Sequence, residues 1–421
     1  MCDSSPPIAV TVNDEVCLNL VISLLSETTR SMPNTQLGYC TNVHAGPDLK
    51  TMRQNLEHHA LRVKALFCPN EPLGIGLWLS APAVQELISN NQIEAFSEWL
   101  SDNGLIPFTM NGFPYGDFHQ AVVKHNVYQP PWHNEKRQHY TKNLIDVLNL
   151  LLPTGMEGSI STLPLQWGDP KPTDQQWADC AKNLCDIAFY LSDLEQKHQR
   201  LIYICIEPEP GCALDTSEDI VSFFENHLLP AGNEDVLRRH IRVCHDICHA
   251  VVMFEDQERA LRRYRDAGIS VGKIQVSSSV VLPLERIASE QRDEAVKQLR
   301  TFSEDRYLHQ TVIRNSEDSC PVLYEDLPLA LAELTDPQNL TQEWRVHFHV
   351  PVYLKQFGLL ETSQKEILNC IQAIRTLSDV THLEIETYAW DVLPEELQHE
   401  QLFQGIAEEM KWFQDIYSKI H

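Results

Sequence analysis

From residue 37 onward, short apolar runs alternate along the chain with longer stretches of helical spacing. Leu201-Ile202-Tyr203-Ile204-Cys205-Ile206 is the clearest run, and it stops abruptly at Glu207-Pro208-Glu209-Pro210-Gly211. The pattern predicts strands over 37–44, 73–80, 106–110, 158–163, 201–207, 241–246, 273–277, 345–350 and 383–388. It predicts helices over 83–99, 140–152, 174–198, 219–227, 284–302 and 363–377. The acid-rich first turn of 219–227 suits a helix N-terminus. Residues 1–36 are polar and Pro-containing at their edges, with one apolar stretch over 16–25, and read as an N-terminal extension packed on the main body.

Repeated strand–helix alternation implies right-handed βαβ units and a parallel sheet. Eight such units close a (β/α)8 barrel, so nine strand-like runs are one too many. The surplus lies beside a long interruption, 278–344, and either 273–277 or 345–350 is accessory. An open doubly wound sheet is the competing α/β architecture. It is disfavoured because no Gly-rich phosphate fingerprint follows the first strand and the chain holds only 16 Gly. The domain reading is one barrel over 37–421 with an insertion at 278–344.

Composition narrows the function. A chain of 421 residues with 43% hydrophobic and 22% charged positions is ordinary for a soluble enzyme. No apolar stretch approaches the ~20 residues that span a bilayer, so no direct membrane insertion is expected. No basic residue precedes the first apolar run, which argues against a secretory signal and for a cytoplasmic location. The net charge of −26, from 59 acids against 33 Lys and Arg, repels phosphate backbones and argues against nucleic acid as a partner. It leaves room for a local basic pocket. Most of the twelve cysteines sit in apolar runs, where free Cys acts as a small hydrophobe, and a disulfide framework is not expected. Cys244 and Cys248 have a CxxxC spacing beside His245 and His249, but no second pair matches it.

The chemistry-bearing residues cluster at strand ends, where parallel α/β folds place their sites. Glu207 closes an apolar strand and suits a hard cation or a base, or else caps the following helix. Asp246 and His249 form D-x-x-H after the next strand. In neighbouring barrel strands Glu207 and Asp246 are close, and two carboxylates repel unless a cation or proton lies between them. Otherwise Asp246 caps a short turn and His249 packs at the rim. Alternation puts Glu384 and Glu386 on one strand face, with Glu386 nearer the C-terminal end. His347 and His349 share a face by the same rule and suit a metal or a substrate oxygen. Gln275 is placed to coordinate or hydrogen-bond a ligand, or is an ordinary interior polar residue. His44, at the end of the first strand, and the Asn111–Gly116 loop with Asn111 and Tyr115 are candidate pocket residues. Tyr307-Leu308-His309-Gln310 and Arg314, in the interruption, form a lid or merely cover the barrel end.

The strand-end pattern of Glu207 in ICIEPEPG, Asp246 and His249 in CHDICH, and the late Glu386 resembles the xylose isomerase-like TIM barrels. That superfamily includes sugar isomerases, epimerases and the endonuclease IV branch. More closely, LGYCTNVHAG, NGFPYGDFH, GSISTLPL, KIQVSSS, YLHQ, WRVHFHVPV and HLEIETYAW look like the EboE family, across nearly the whole chain. That family is named for metabolite traffic and accompanies a gene cluster associated with moving small molecules out of the cytoplasm. The resemblance implies a single (β/α)8 TIM barrel and one divalent cation, Mn²⁺, Mg²⁺ or Zn²⁺, held by Glu207, Asp246, Glu386 and a histidine. Gln275 stands where the superfamily carries that histidine, so either His349 replaces it, or Gln275 is itself the ligand, or no metal binds. The implied activity is metal-assisted isomerisation or epimerisation of a small hydroxylated or carbonyl-bearing metabolite. Glu207, Glu386 and His249 would be catalytic; His44, Asn111, Tyr115, His309, Arg314 and His347 would line the substrate site. The alternative is a non-catalytic metabolite carrier. Expected partners are the metabolite and other proteins of the same gene cluster.

Overall fold

A computed structural model describes residues 35–420 apart from 317, 335, 336, 338–340 and 400. The reading of residues 1–36 as a packed extension lies almost wholly outside these. Seven strands come first in chain order: β1 (Gln36–Cys40), β2 (Leu73–Trp78), β3 (Leu105–Asn111), β4 (Gly158–Thr162), β5 (Ile202–Ile206), β6 (Ile241–Asp246) and β7 (Val271–Val276). Six short strands follow: β8 (Val280–Pro283), β9 (Thr311–Arg314), β10 (Val322–Tyr324), β11 (Glu343–Val346), β12 (Gln356–Phe357) and β13 (Leu360–Thr362). The last, β14 (His382–Ile385), returns to the first set.

The first seven strands and β14 close into an eight-stranded barrel, β1 pairing in parallel with both β14 and β2. The open doubly wound alternative is thereby ruled out. The remaining six form a separate sheet of antiparallel pairs in the order β10-β9-β11-β8-β13-β12. This resolves the surplus strand. The run at 273–277 belongs to β7 of the barrel, whereas 345–350 overlaps β11 of the second sheet. Its strand stops at Val346, and the Phe348 N–H turns back to the Val346 carbonyl at 2.9 Å.

The helices follow the apolar spacing closely, with one informative break. The helix expected over 83–99 is two, Ala81–Ser89 and Ile93–Asp102. Between them Asn91 takes φ 51, a left-handed conformation that Asn tolerates better than most residues. The long helix Asp174–His198 starts at Thr173, whose hydroxyl and the Gln176 side chain cap one another's backbone N–H groups. Among the described residues no helix is long and apolar enough to cross a membrane.

The barrel interior is polar at its centre. Lys273 of β7 and Glu384 of β14 pair at 2.6 Å with no side-chain exposure. Glu384 needs the space left by Gly76: a Cβ there would lie 1.2 Å from Glu384 Oε1. The register runs Asp246↔Gln275↔Glu384 across β6, β7 and β14, so the three are level. Glu386 lies one step beyond, tied through its N–H to the Val276 carbonyl at 3.1 Å. Glu207 sits likewise past β5, its N–H bonded to the Thr162 carbonyl at 3.0 Å.

Candidate metal centre

The C-terminal strand ends bring three acids together. One carboxylate oxygen from each of Glu207, Asp246 and Glu386 lies within 4.8 Å of the others, and all three residues are buried. Each has one oxygen committed or near a partner and the approach to the centre left open. Glu386 Oε1 accepts from Asn42 Nδ2 at 2.7 Å and Asn111 Nδ2 at 3.0 Å. Asp246 Oδ1 accepts from the His249 N–H at 2.9 Å, capping the helix Ile247–Val252, and from Ser277 Oγ at 2.7 Å. So the capping role and the site role coexist on one side chain, because Asp246 Oδ2 has no partner. Glu207 Oε2 is likewise buried without one.

Crowding and burial set the charge states of this cluster. Burial, then the neighbouring Glu386 and Asp246, push Glu207 well above the usual carboxylate range. Burial, Asp246 and Glu384 raise Glu386 to about 8. Burial raises Asp246 too, but the imidazoles of His249 and His349, with the bonds from His249 N–H and Ser277, outweigh it and hold Asp246 low.

Three imidazoles face the acids. His249 Nδ1 donates to the Pro208 carbonyl at 2.9 Å, His347 Nδ1 to Gln310 Oε1 at 2.8 Å and His349 Nδ1 to the Glu386 carbonyl at 2.7 Å. Fixing Nδ1 in this way aims Nε2 and its lone pair inward, as metal-binding histidines require. His349 Nε2 has no partner. The Nε2 atoms of His249 and His347 stand 3.1 Å apart. For neutral rings that is lone pair against lone pair, favourable only with a proton or metal ion between. Burial lowers His347 well below the usual imidazole range and His349 to about 4, which favours neutral rings. Asp246, His249 and His349 also lie within mutual ligand reach, as do Glu209, His249 and His347, and Cys248, His347 and His349. Gln275 is fully buried, and neither its Nε2 nor its Oε1 has a partner. Orphaned buried polar atoms of this density, oxygens plus imidazole nitrogen, fit a divalent cation.

Glu207, Glu386, His249, His347, His349 and Asn111 all line one cavity that opens to solvent. Asp246 and Gln275 lie buried behind it. Four expected pocket residues are elsewhere. β1 ends at Cys40, so His44 falls past a 3-10 turn and stacks on His59, ring centroids 4.5 Å apart. Tyr115 packs edge-on to Tyr140 at 5.1 Å, with Arg137 over its ring. His309 pairs with Glu304 at 3.1 Å and packs on Phe348. Arg314, on β9, lies over the Phe254 ring at 4.2 Å. The sequence reading missed Asn42 and Glu209, and took Gln310 only as part of a lid. Glu209 accepts from Tyr128 OH and Gln310 Nε2, each at 2.8 Å. It sits two residues after Glu207, and the alternation used for Glu384 and Glu386 would have flagged it. The CxxxC pair divides: Cys248 faces the histidines, while Cys244 packs with Tyr203 and Cys205.

No family model and no curated protein matches the chain. Solved structures do. A xylose isomerase-like TIM barrel protein from Mycobacterium smegmatis, in complex with magnesium, aligns with TM-score 0.51 and 11% identity, over 93% of this chain and 99% of that one. The IOLI protein with a bound zinc atom aligns at 0.44 and 14% identity, over 92% and 99%. An L-ribulose 3-epimerase aligns at 0.44 and 11%, over 91% and 95%. At such identities the likeness is one of fold. The chain folds as a (β/α)8 TIM barrel similar to that of the magnesium-bound Mycobacterium smegmatis protein, and its strand ends carry a buried acid–imidazole cluster with ligand atoms spaced to hold a metal.

Proposed function

We propose that this protein is a metal-dependent isomerase or epimerase of a small hydroxylated or carbonyl-bearing metabolite, serving metabolite traffic as its EboE-like motifs imply. The observation that carries the reading is the convergence of Glu207, Asp246 and Glu386 on one buried point where oxygens are left without partners. Glu207, Asp246 and Glu386 would hold the cation, with His349 and Gln275 in reach of the same centre. When bound, a divalent cation there supplies positive charge that favours charge build-up on a carbonyl oxygen.

The chain's own groups would handle the proton. Glu207 and Glu386 have raised proton affinities in the metal-free chain, and a bound cation would lower them, leaving each a carboxylate able to take a proton from the substrate carbon and return it. Asn42 and Asn111 fix Glu386 Oε1 and so orient the other oxygen. His249, held through Nδ1, offers Nε2 to a substrate hydroxyl at the cavity floor. The test is deuterium wash-in. Mn²⁺-loaded protein in D₂O is incubated with a panel of free ketoses and aldoses, and exchange at the carbon next to the carbonyl is followed by NMR. Exchange lost in Glu207→Gln and Glu386→Gln supports the reading. Sugar binding with no exchange above the Glu207→Gln control makes the protein a carrier.

A further inference from the structure

The cavity has two unlike ends. Its floor is the acid–imidazole cluster. Its outer wall is a collar of Phe113, Phe118, Val127, Tyr307, Leu308 and Tyr388, built from the loop after β3, the segment before β9 and the residue after Thr387. The collar rings brace one another: Phe118 lies 4.9 Å from Tyr307 and 5.4 Å from Tyr388 by ring centroids. Tyr307 turns its hydroxyl away to the Phe118 carbonyl at 3.2 Å, and Tyr128 spends its own on Glu209. Apart from the Tyr388 hydroxyl, what this collar presents to the cavity is carbon.

Charge separates the possible occupants further. Among the described lining residues Lys124 is the cationic side chain, and Asp326 already neutralises it at 2.6 Å. Glu207, Glu209 and Glu386 face the same space. A phosphate or carboxylate entering here loses water and finds no free cation beyond whatever sits among the acids, which makes its burial costly. A hydrocarbon segment against the collar gains by leaving water.

We infer that the ligand is uncharged and amphiphilic: a hydroxyketone or polyol head for the floor, joined to an apolar segment several carbons long for the collar. Phosphorylated analogues are excluded. This rests on the metal-site reading for the head alone; the tail contacts do not involve the cation.

The test is calorimetric titration of the wild-type full chain, with and without saturating Mn²⁺. The probes are hydroxyacetone, 1-hydroxyoctan-2-one and dihydroxyacetone phosphate. Full burial of each added methylene is worth up to about 4-fold in affinity, so 1-hydroxyoctan-2-one is expected to bind ~10-fold or more tighter than hydroxyacetone in both conditions. Dihydroxyacetone phosphate is expected to bind weakest. Equal affinity of the short and long hydroxyketones, tightest binding by the phosphate, or no measurable binding of 1-hydroxyoctan-2-one would overturn the inference. A chain that takes no Mn²⁺ but keeps the preference for the long probe would sink the metal reading and leave this one standing.

Discussion

Lys273 Nζ and Glu384 Oε2 meet at 2.6 Å in the barrel interior, with neither side chain exposed. Burial opposes the lysine's charge, yet Glu384 beside it holds the ammonium protonated well above the usual lysine range. This pair neutralises one buried acid, while Glu384 still raises Glu386 and Lys273 acts the other way on Glu207 and Glu386. Glu207, Asp246 and Glu386 lie just above with no cation of their own, so the excess negative charge is local to the strand ends.

The pair depends on the absence of a side chain at Gly76. Gly76→Ala places a methyl group on the Glu384 carboxylate. Displacing one member of a buried ion pair leaves an uncompensated charge, at a typical cost of about 3–5 kcal/mol. Chemical denaturation should show a loss on that scale, or no soluble protein. A wild-type midpoint would show that Glu384 moves aside freely.

The metal-free protein should respond to pH in a defined direction. The folded-state proton affinities of Glu207 and Glu386 are raised, so above their unfolded values near 4.5 the folded chain binds more protons than the unfolded one, up to about 8 for Glu386 and through the raised range of Glu207. These groups therefore destabilise the fold progressively as pH rises through that window, with the Glu386 contribution levelling off above about 8. Mn²⁺ binding must displace the same protons, so it should strengthen with pH over the same range. Thermal melts from pH 5 to 8.5, with and without Mn²⁺, should diverge as pH rises. A gap that narrows with pH would contradict the assignment.

The imidazoles should matter unequally. His349 has its Nδ1 tethered and a partnerless Nε2, so His349→Ala should weaken Mn²⁺ or Zn²⁺ binding by ~10-fold or more with the fold intact. Gln275 is neutral and lies level with Asp246, so Gln275→Ala should do less. Titration calorimetry on both variants decides. A Gln275→Ala variant that loses the metal while His349→Ala keeps it would relocate the centre toward β7.

Nucleic acid should be rejected. At a net charge of −26 no binding to a 20-base-pair duplex is expected by fluorescence anisotropy at 150 mM salt. Saturable binding there would reveal a basic surface that the net charge conceals.

Strand ends were the legible part of this chain. Glu207 follows an apolar run directly, Asp246 and Glu386 close strand-like runs, and a parallel barrel leaves such residues only one place to go. His347 and His349 were read as one face of a strand, but β11 stops at Val346 and a turn carries both rings inward instead. The pairing of 345–350 with the second sheet depends on contacts with residues 280 and 311, which no local period reveals. The same blindness left the run Tyr307–Gln310 with Arg314 unsorted: Tyr307 and Leu308 line the cavity and Gln310 reaches His347 and Glu209, while His309 packs on Phe348 and Arg314 on Phe254. His44 failed for a simpler reason, since a 3-10 turn after Cys40 passes the inward position to Asn42.

The central claim is that three buried carboxylates hold one divalent cation. Its most direct test is calorimetric titration of Mn²⁺ into metal-stripped wild-type protein and into Glu207→Gln at pH 7.5. The account requires saturable binding by the wild type at one ion per chain, weakened ~10-fold or more in Glu207→Gln. It also requires a metal-free Glu207→Gln variant that melts above the metal-free wild type, because the substitution removes one of three mutually repelling acids. Wild-type protein that takes up none of Mn²⁺, Mg²⁺ or Zn²⁺, or a Glu207→Gln variant that binds as well as the wild type, would contradict it.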